Sequence, residues 1–339
     1  MDAPGGLRSL RRAVFMPSST AVPLAAQSIG PFTFEDGTTV ADAAFTYGIV
    51  SPPGVSRGVV IVCPSLTATP SILHDWWTDV GPALSNAHYT TLYPHAFDIR
   101  TIATLSRERP PGIRDLARGI MALTQSLGLA PPTFATGGSM GGMLALEVAI
   151  VSGAPTHALV VAAPAVQTAW ARGWNMIQLS AIEQQGGTAG LMLARAVGMM
   201  TYRTEAEFEA RFASDATSDG RTIVGYLTHH GQRLVERFDA AEYERRVRAM
   251  DTHDVGRGRG GWREALSANA SRIRAVGIHG DSLYSAESVV AWASTVGAVV
   301  TTMQSIHGHD AFLLEREQMR AAMHAAFTHA VSVTAIGAP

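Results

Sequence analysis

Ser139 stands in the run Gly137-Gly138-Ser139-Met140-Gly141, which brackets one hydroxyl with glycine. A serine hydroxyl at neutral pH is a weak nucleophile, and it becomes a strong one only beside a base that is itself held by an acid. Asp281, directly after "SRIRAVGIHG", and His309, in "HGHD", supply an acid and a base further along the chain. The three types together would carry acyl transfer through a serine ester, with an imidazole moving the proton. His307 competes with His309 for the role of base. Gly308 permits the sharp turn that a projecting imidazole needs, which favours His309.

The surrounding text says what must position these groups. "PTFATGGS" reads as a buried strand that runs into the helical "GGMLALEVAIVSG". G-x-S-x-G at such a junction is a strand–turn–helix elbow that projects the serine Oγ, and the helix N-terminus aims free N–H groups at developing negative charge. The plainer alternative is a glycine-rich turn with a capping serine. "GVVIVCP", "TTLYP", "PTFATG" and "HALVVAAPA" alternate with helical text, which implies a parallel sheet covered on both faces. Before them, two alternating runs flank the turn Glu35-Asp36-Gly37 and predict an antiparallel hairpin.

In an open parallel sheet, functional groups gather at the carboxyl ends of the strands, and Ser139, Asp281 and His309 each follow a predicted strand. Serine, aspartate, histidine is the chain order of the α/β-hydrolase fold. The expected fold class is therefore α/β, a mostly parallel central sheet with an N-terminal antiparallel hairpin and a helical lid insertion. Residues 1–27 read as a flexible tail rather than an export signal, 28–167 and 269–339 as the core, and 168–268 as the lid. "GRGRGG" at 256–261 reads as a surface loop. For the oxyanion of an ester intermediate, one donor is the backbone N–H of Met140. The other must come from Ser65 or Leu66 after "VVIVCP", since Pro64 has no N–H; Leu66 is favoured.

The 339 residues carry 26 basic and 28 acidic side chains, a balance that favours neither nucleic acid nor an anionic membrane. The basic residues are all arginine, which excludes a Schiff-base lysine and a lysine-bearing phosphate loop. Cys63 is the sole cysteine, so no internal disulfide or cysteine-rich zinc site can form. No apolar run reaches the roughly 18 residues of a membrane span. Expected are a cytoplasmic enzyme of small molecules, no metal and no bound cofactor.

Beyond the elbow, the chain resembles the homoserine O-acetyltransferase family. The matching pieces are "LT" at 66–67, "GGSMGG" at 137–142, "TYRT" at 201–204, "RFDAAEYERRVRAMDTHD" at 237–254, "GDSLYS" at 280–285 and "GHDAFLLE" at 308–315. The resemblance implies Ser139, Asp281 and His309 as a catalytic triad, Leu66 with Met140 as the oxyanion pair, and acyl-CoA, with acetyl as the expected acyl group, as co-substrate for an alcohol acceptor. It also implies a lid that shapes the acceptor site and pairs two subunits. Asp310 would contact the acceptor's amino group or simply hold the loop of His309. Tyr202 and Arg203 would either touch a CoA phosphate or lock lid helices.

One departure bears on the acceptor. Leu179 stands where the family pattern "N-x-x-x-R-x-A-I" has an arginine for the acceptor carboxylate, and losing that contact removes about 1.5–3 kcal/mol. An acceptor other than free homoserine is then expected. "HAFDIRTIATLSRERPPG" at 95–112 also replaces a longer glycine-rich stretch, so one wall of the acyl entrance is rebuilt. Two other readings stand beside the transferase: a carboxylic-ester hydrolase on the same three residues, and a binding protein that hardly turns over.

Overall fold

The computed structural model describes residues 22–80, 88–213 and 222–336. Eight strands form one sheet in the order β1-β2-β4-β3-β5-β6-β7-β8. They are β1 Ala25–Thr33, β2 Thr39–Val50, β3 Val59–Val62, β4 Thr90–Phe97, β5 Pro132–Gly138, β6 His157–Val161, β7 Ile273–His279 and β8 Val299–Gln304. β1 pairs antiparallel with β2 and β2 antiparallel with β4; the remaining neighbours are parallel. This is the expected α/β-hydrolase architecture. The hairpin turns at Gly37, whose φ of +89° suits glycine, with Phe34 N–H donating to Thr38 O at 2.8 Å.

The ordered chain starts earlier than the sequence suggests. Ala25, Ala26 and Gln27, expected in a tail, already pair with β2, and buried Val22 hydrogen-bonds through its N–H to Ser71 Oγ at 3.2 Å. A small-residue strand at a sheet edge has little hydrophobic signal of its own, because the partner strand supplies the pairing. The rest of the expected tail, 1–21, lies outside the described residues.

Pleating sends alternate residues of the central strands to opposite faces, so strands buried on both sides read as continuous apolar runs. Val59 and Ile61 enter one core with Ile113, Met143 and Val289; Val60 and Val62 enter the other with Leu73, Trp76, Met319 and Phe327. Helices Ile113–Ser126, Met140–Val151 and Ala286–Thr295 thereby cover one face, and Pro70–Val80 and Arg316–Ile336 the other. No helix among the described residues is long and apolar enough to cross a membrane.

Between β6 and β7 the chain leaves the sheet for the helices Ala169–Gln185, Gly187–Tyr202, Glu205–Phe212, Ile223–Val235, Ala240–Asp251 and Trp262–Ser267. Thr168, Thr204, Thr222 and Asp239 begin four of them, each side chain accepting a backbone N–H three residues on, a contribution of about 1 kcal/mol apiece.

The "GRGRGG" segment is more than a surface loop. Arg257 reaches Glu35 at 2.7 Å, and Arg259 reaches Glu147 at 2.9 Å. Glu147 is the lone charge of the helix that follows Ser139, fully buried, with Arg114 3.4 Å away on its other side. The loop therefore neutralises a charge that burial would otherwise make costly. Replacing Arg259 with Met should cost about 1–3 kcal/mol, lowering the melting temperature by several degrees. Arg257→Met, at a half-exposed pair, should cost less than about 1 kcal/mol. Equal losses in thermal melts would show that Glu147 draws nothing from Arg259.

Candidate active site

Ser139 takes φ 59° and ψ −123°, a region that non-glycine residues enter at a cost of about 1–3 kcal/mol. It lies between the end of β5 and the helix Met140–Val151, with its N–H bonded to Val161 O at 2.9 Å. The elbow needs glycine for space. A Cβ at Gly141 would stand 2.5 Å from the carbonyl oxygen of Cys63, and one at Gly138 would stand 2.5 Å from the Phe312 ring. These contacts bring two further pieces of chain to the serine: the loop after β3, which carries Leu66, and the segment after β8, which carries His309.

Asp281 follows β7, and its Oδ1 accepts the backbone N–H groups of Leu283 at 2.8 Å and Tyr284 at 2.9 Å. Its Oδ2 accepts Nδ1–H of His309 at 2.7 Å. His309 sits in the 3-10 turn Gly308–Asp310 after β8, and Gly308 has φ +58°. With Nδ1 donating to Asp281, the neutral imidazole keeps its lone pair on Nε2, and that atom is buried without a hydrogen-bond partner. Tyr202, Tyr284 and Phe312 pack around the ring at centroid distances of 5.7, 5.6 and 5.8 Å. Ser139 is 9% exposed and His309 2%, so bulk water has little access to either.

Burial works against a charged imidazole, yet the Asp281 charge and hydrogen bond more than offset it, and Asp310 adds to them. The His309 pKa is held above its ordinary value. His307 turns elsewhere, its Nδ1 3.0 Å from Glu207 Oε2.

Met140 opens its helix, where the N–H has no intrahelical partner. Leu66 is buried in the loop after β3, and its carbonyl oxygen accepts from Arg246 at 3.2 Å. Asp310 Oδ2 accepts Nε–H of Arg203 at 3.0 Å, while Nη1 of Arg203 binds both oxygens of Glu207 at 2.8 and 3.1 Å. Two protein carboxylates thus occupy the Arg203 guanidinium and tie the His309 turn to the lid. Leu179 is partly buried against the larger apolar core.

Sequence reasoning overlooked Arg195. Its guanidinium lies 5.6 Å over the Tyr202 ring, and its Nε is buried with no hydrogen-bond partner. The signal was present: Arg195 and Tyr202 are two helical turns apart and so share a face. The nearby Arg237 has its pKa pulled down to about 10 by burial and then by the charges of Arg195 and Arg233, so positive charge accumulates here.

A doubly covered, mostly parallel sheet with a helical insertion at its carboxyl edge defines an α/β-hydrolase fold. No family model matches the chain. It is 41% identical over 273 residues to the homoserine O-acetyltransferase of Thermus thermophilus, covering 72% of this chain and 70% of that one. The Salinibacter ruber enzyme of the same name is 33% identical over 333 residues, covering 86% and 94%. The crystal structure of homoserine O-acetyltransferase from Staphylococcus aureus superposes with a TM-score of 0.75 at 24% identity, covering 89% and 94%. The chain belongs to the homoserine O-acetyltransferase family, and it is an acyltransferase-type enzyme on an α/β-hydrolase fold.

If Asp281 is what raises the His309 pKa, its removal must reverse the shift. Nuclear magnetic resonance titration should find the imidazole above the ordinary value of about 6.5 in the wild type. In Asp281→Asn it should fall below that value, because burial then acts with little opposition. An unchanged titration in the variant would refute the assignment.

Proposed function

We propose that this protein transfers an acetyl group from acetyl-CoA, through an ester on Ser139, to the hydroxyl of a small anionic acceptor. The observation that carries the reading is the buried His309, held by Asp281, with an Nε2 that no protein group binds, Ser139 Oγ included, and with its ring against Phe312, which touches the elbow at Gly138. Ser139 Oγ attacks the thioester carbonyl while His309 Nε2 takes its proton; the oxyanion draws on the N–H groups of Met140 and Leu66. Collapse breaks the C–S bond, and His309 returns the proton to the departing CoA sulfur. The acceptor hydroxyl then loses its proton to His309 and attacks the ester, and Ser139 recovers its hydrogen as the O-acetyl product leaves. Transfer outruns hydrolysis only where water is kept from the ester, and the low exposure of Ser139 and His309 supports that.

The acceptor reading moves away from the expectation drawn from Leu179. That side chain packs on apolar residues, whereas Arg195, one helix further on, stacks over Tyr202 with a buried Nε that no protein group binds. An acceptor carboxylate suits it, and homoserine, the substrate in the relatives' name, is the acceptor to test first. Exposed Trp170, Ile177, Leu193, Met200 and Val224 on the lid helices support pairing of two subunits through the lid.

Wild-type protein given acetyl-CoA should release CoA thiol in step with added homoserine and yield O-acetylhomoserine by mass spectrometry. Ser139→Ala should abolish both. Arg195→Met should lower kcat/KM for homoserine by about 10- to 100-fold, the worth of one charge-assisted contact. Its reaction with p-nitrophenyl acetate should stay close to wild type. Acetate release that no acceptor diverts would make the enzyme a hydrolase. For assembly, light scattering should give twice the 35.9 kDa chain mass, and Leu193→Glu should return it to a monomer.

A further inference from the structure

Arg246, in the lid helix Ala240–Asp251, touches none of the groups proposed to react, yet it is 3% exposed and its hydrogen bonds converge on one loop. Nη1 lies 3.5, 3.2 and 3.4 Å from the carbonyl oxygens of Ser65, Leu66 and Ala68, and Nη2 lies 3.3 Å from the oxygen of His95. Arg237 takes the carbonyl between them, with Nη1 2.6 Å from Thr67 O. The oxygens of residues 65–68 therefore all face lid arginines. Glu242 Oε1 accepts Nε–H of Arg246 at 2.7 Å and fixes the plane of the fork.

A peptide unit is planar and trans, so its C=O and N–H point in opposite directions. The N–H of Leu66 belongs to the same unit as the oxygen of Ser65. That oxygen accepts the Ala68 N–H at 3.1 Å across a tight turn, and Arg246 at 3.5 Å adds a charged donor to it; held so, it directs the Leu66 N–H away from the lid helix. The Leu66 oxygen, held in the same way, fixes the next unit, so rotation about either side of Leu66 is resisted. A cation on the carbonyl side also draws electron density through the amide, which strengthens the N–H as a donor. From the opposite side the loop rests on the elbow, where a Cβ at Gly141 would stand 2.5 Å from Cys63 O. Pro64, Met140, Glu242 and Arg246 line one pocket, so the arginine and the elbow meet across the same space.

We propose that Arg246, oriented by Glu242, is a positioning residue that aims and polarises the Leu66 N–H, so that the lid sets the geometry of the oxyanion site. The proposal rests on the acyl-transfer reading above. Lysine could not replace the residue fully, because a compact ammonium on a flexible stem cannot span the Ser65, Leu66, Ala68 and His95 oxygens in one fixed plane.

The test compares wild type, Arg246→Met, Arg246→Gln, Arg246→Lys, Glu242→Gln and Ser139→Ala, each monitored by thermal melting. Two quantities are read: the burst of p-nitrophenol from p-nitrophenyl acetate, and the inhibition constant of phenylboronic acid, which adds to a serine as a tetrahedral adduct. Losing an oxyanion donor outright costs about 100- to 1000-fold, so misaiming one should slow acylation in Arg246→Met by about 10- to 100-fold. KM should change little, and the boronate should weaken by a similar factor. Arg246→Lys should fall between Met and wild type, and Glu242→Gln should show a smaller loss of the same kind.

A folded Arg246→Met with wild-type acylation and boronate affinity would overturn the proposal. Should that variant not fold, Arg246→Gln is held to the same criterion. A burst abolished in Ser139→Ala but untouched in Arg246→Met removes this proposal alone. A burst that survives in Ser139→Ala removes the acyl-enzyme reading, and this proposal with it.

Discussion

A carboxylate and an imidazole in contact at 2.7 Å, both almost fully buried, impose more on this structure than any other pair. Neither group tolerates removal from water alone, and each is acceptable because the other is there. Asp281 also accepts two backbone N–H groups of its own turn. His309 meets half of its hydrogen-bonding capacity with Asp281 and leaves Nε2 open. The contact requires β7 and β8 to be adjacent and parallel, so that both turns emerge at one edge, and it requires a roof. The parallel sheet provides the first and the lid the second. An imidazole so placed keeps a raised pKa despite burial, which suits the role proposed for it, taking up a proton and giving it back within one turnover.

Arginines make many of the ties that fasten the roof, in a chain without lysine, beside neutral bonds such as Trp170 Nε1–H to Ser282 O at 2.7 Å. Arg203 ties the His309 turn to Glu207, Arg259 and Arg114 clasp Glu147 on the helix of the elbow, and Arg246 and Arg237 collect the carbonyl oxygens after β3. Each contact uses several donors of one planar fork to fix the direction of a backbone or carboxylate, which a point charge on a flexible stem does poorly. These tethers end on the helix that follows Ser139, on the Leu66 loop and on the His309 turn.

What the sequence made legible follows from how local each signal is. The elbow was legible because its strain needs glycine at fixed offsets, and Asp281 and His309 because a strand followed by a polar turn marks a carboxyl end. The start of β1 was not legible, since a small-residue edge strand exists only through its partner. The latch formed by "GRGRGG" was hidden for a different reason: Glu35 and Glu147 are far away in the chain, and nothing local separates an arginine bound to a buried carboxylate from one in solvent. Arg246 was hidden in the same way, inside a helix whose text reads as an ordinary charged face.

Leu179 and Arg195 show how the same limit acts on specificity. Reading the acceptor site from one position assumes that the cation which binds a carboxylate occupies one place in the text. What binds an anion is a guanidinium whose donors no protein carboxylate has claimed, and that depends on the neighbours. By this criterion Arg203 is spent, between Asp310 and Glu207, although it lies in the most recognisable motif of the lid. Arg195, one helical face away, is not spent: it stacks on Tyr202, and Tyr202 packs against His309. An acceptor drawn to Arg195 would therefore arrive beside the base proposed to activate its hydroxyl, under the same lid whose Arg246 holds the loop after β3. Recognition and chemistry then share one set of helices, and an enzyme built this way can bring its acceptor to the ester while leaving water little room to compete.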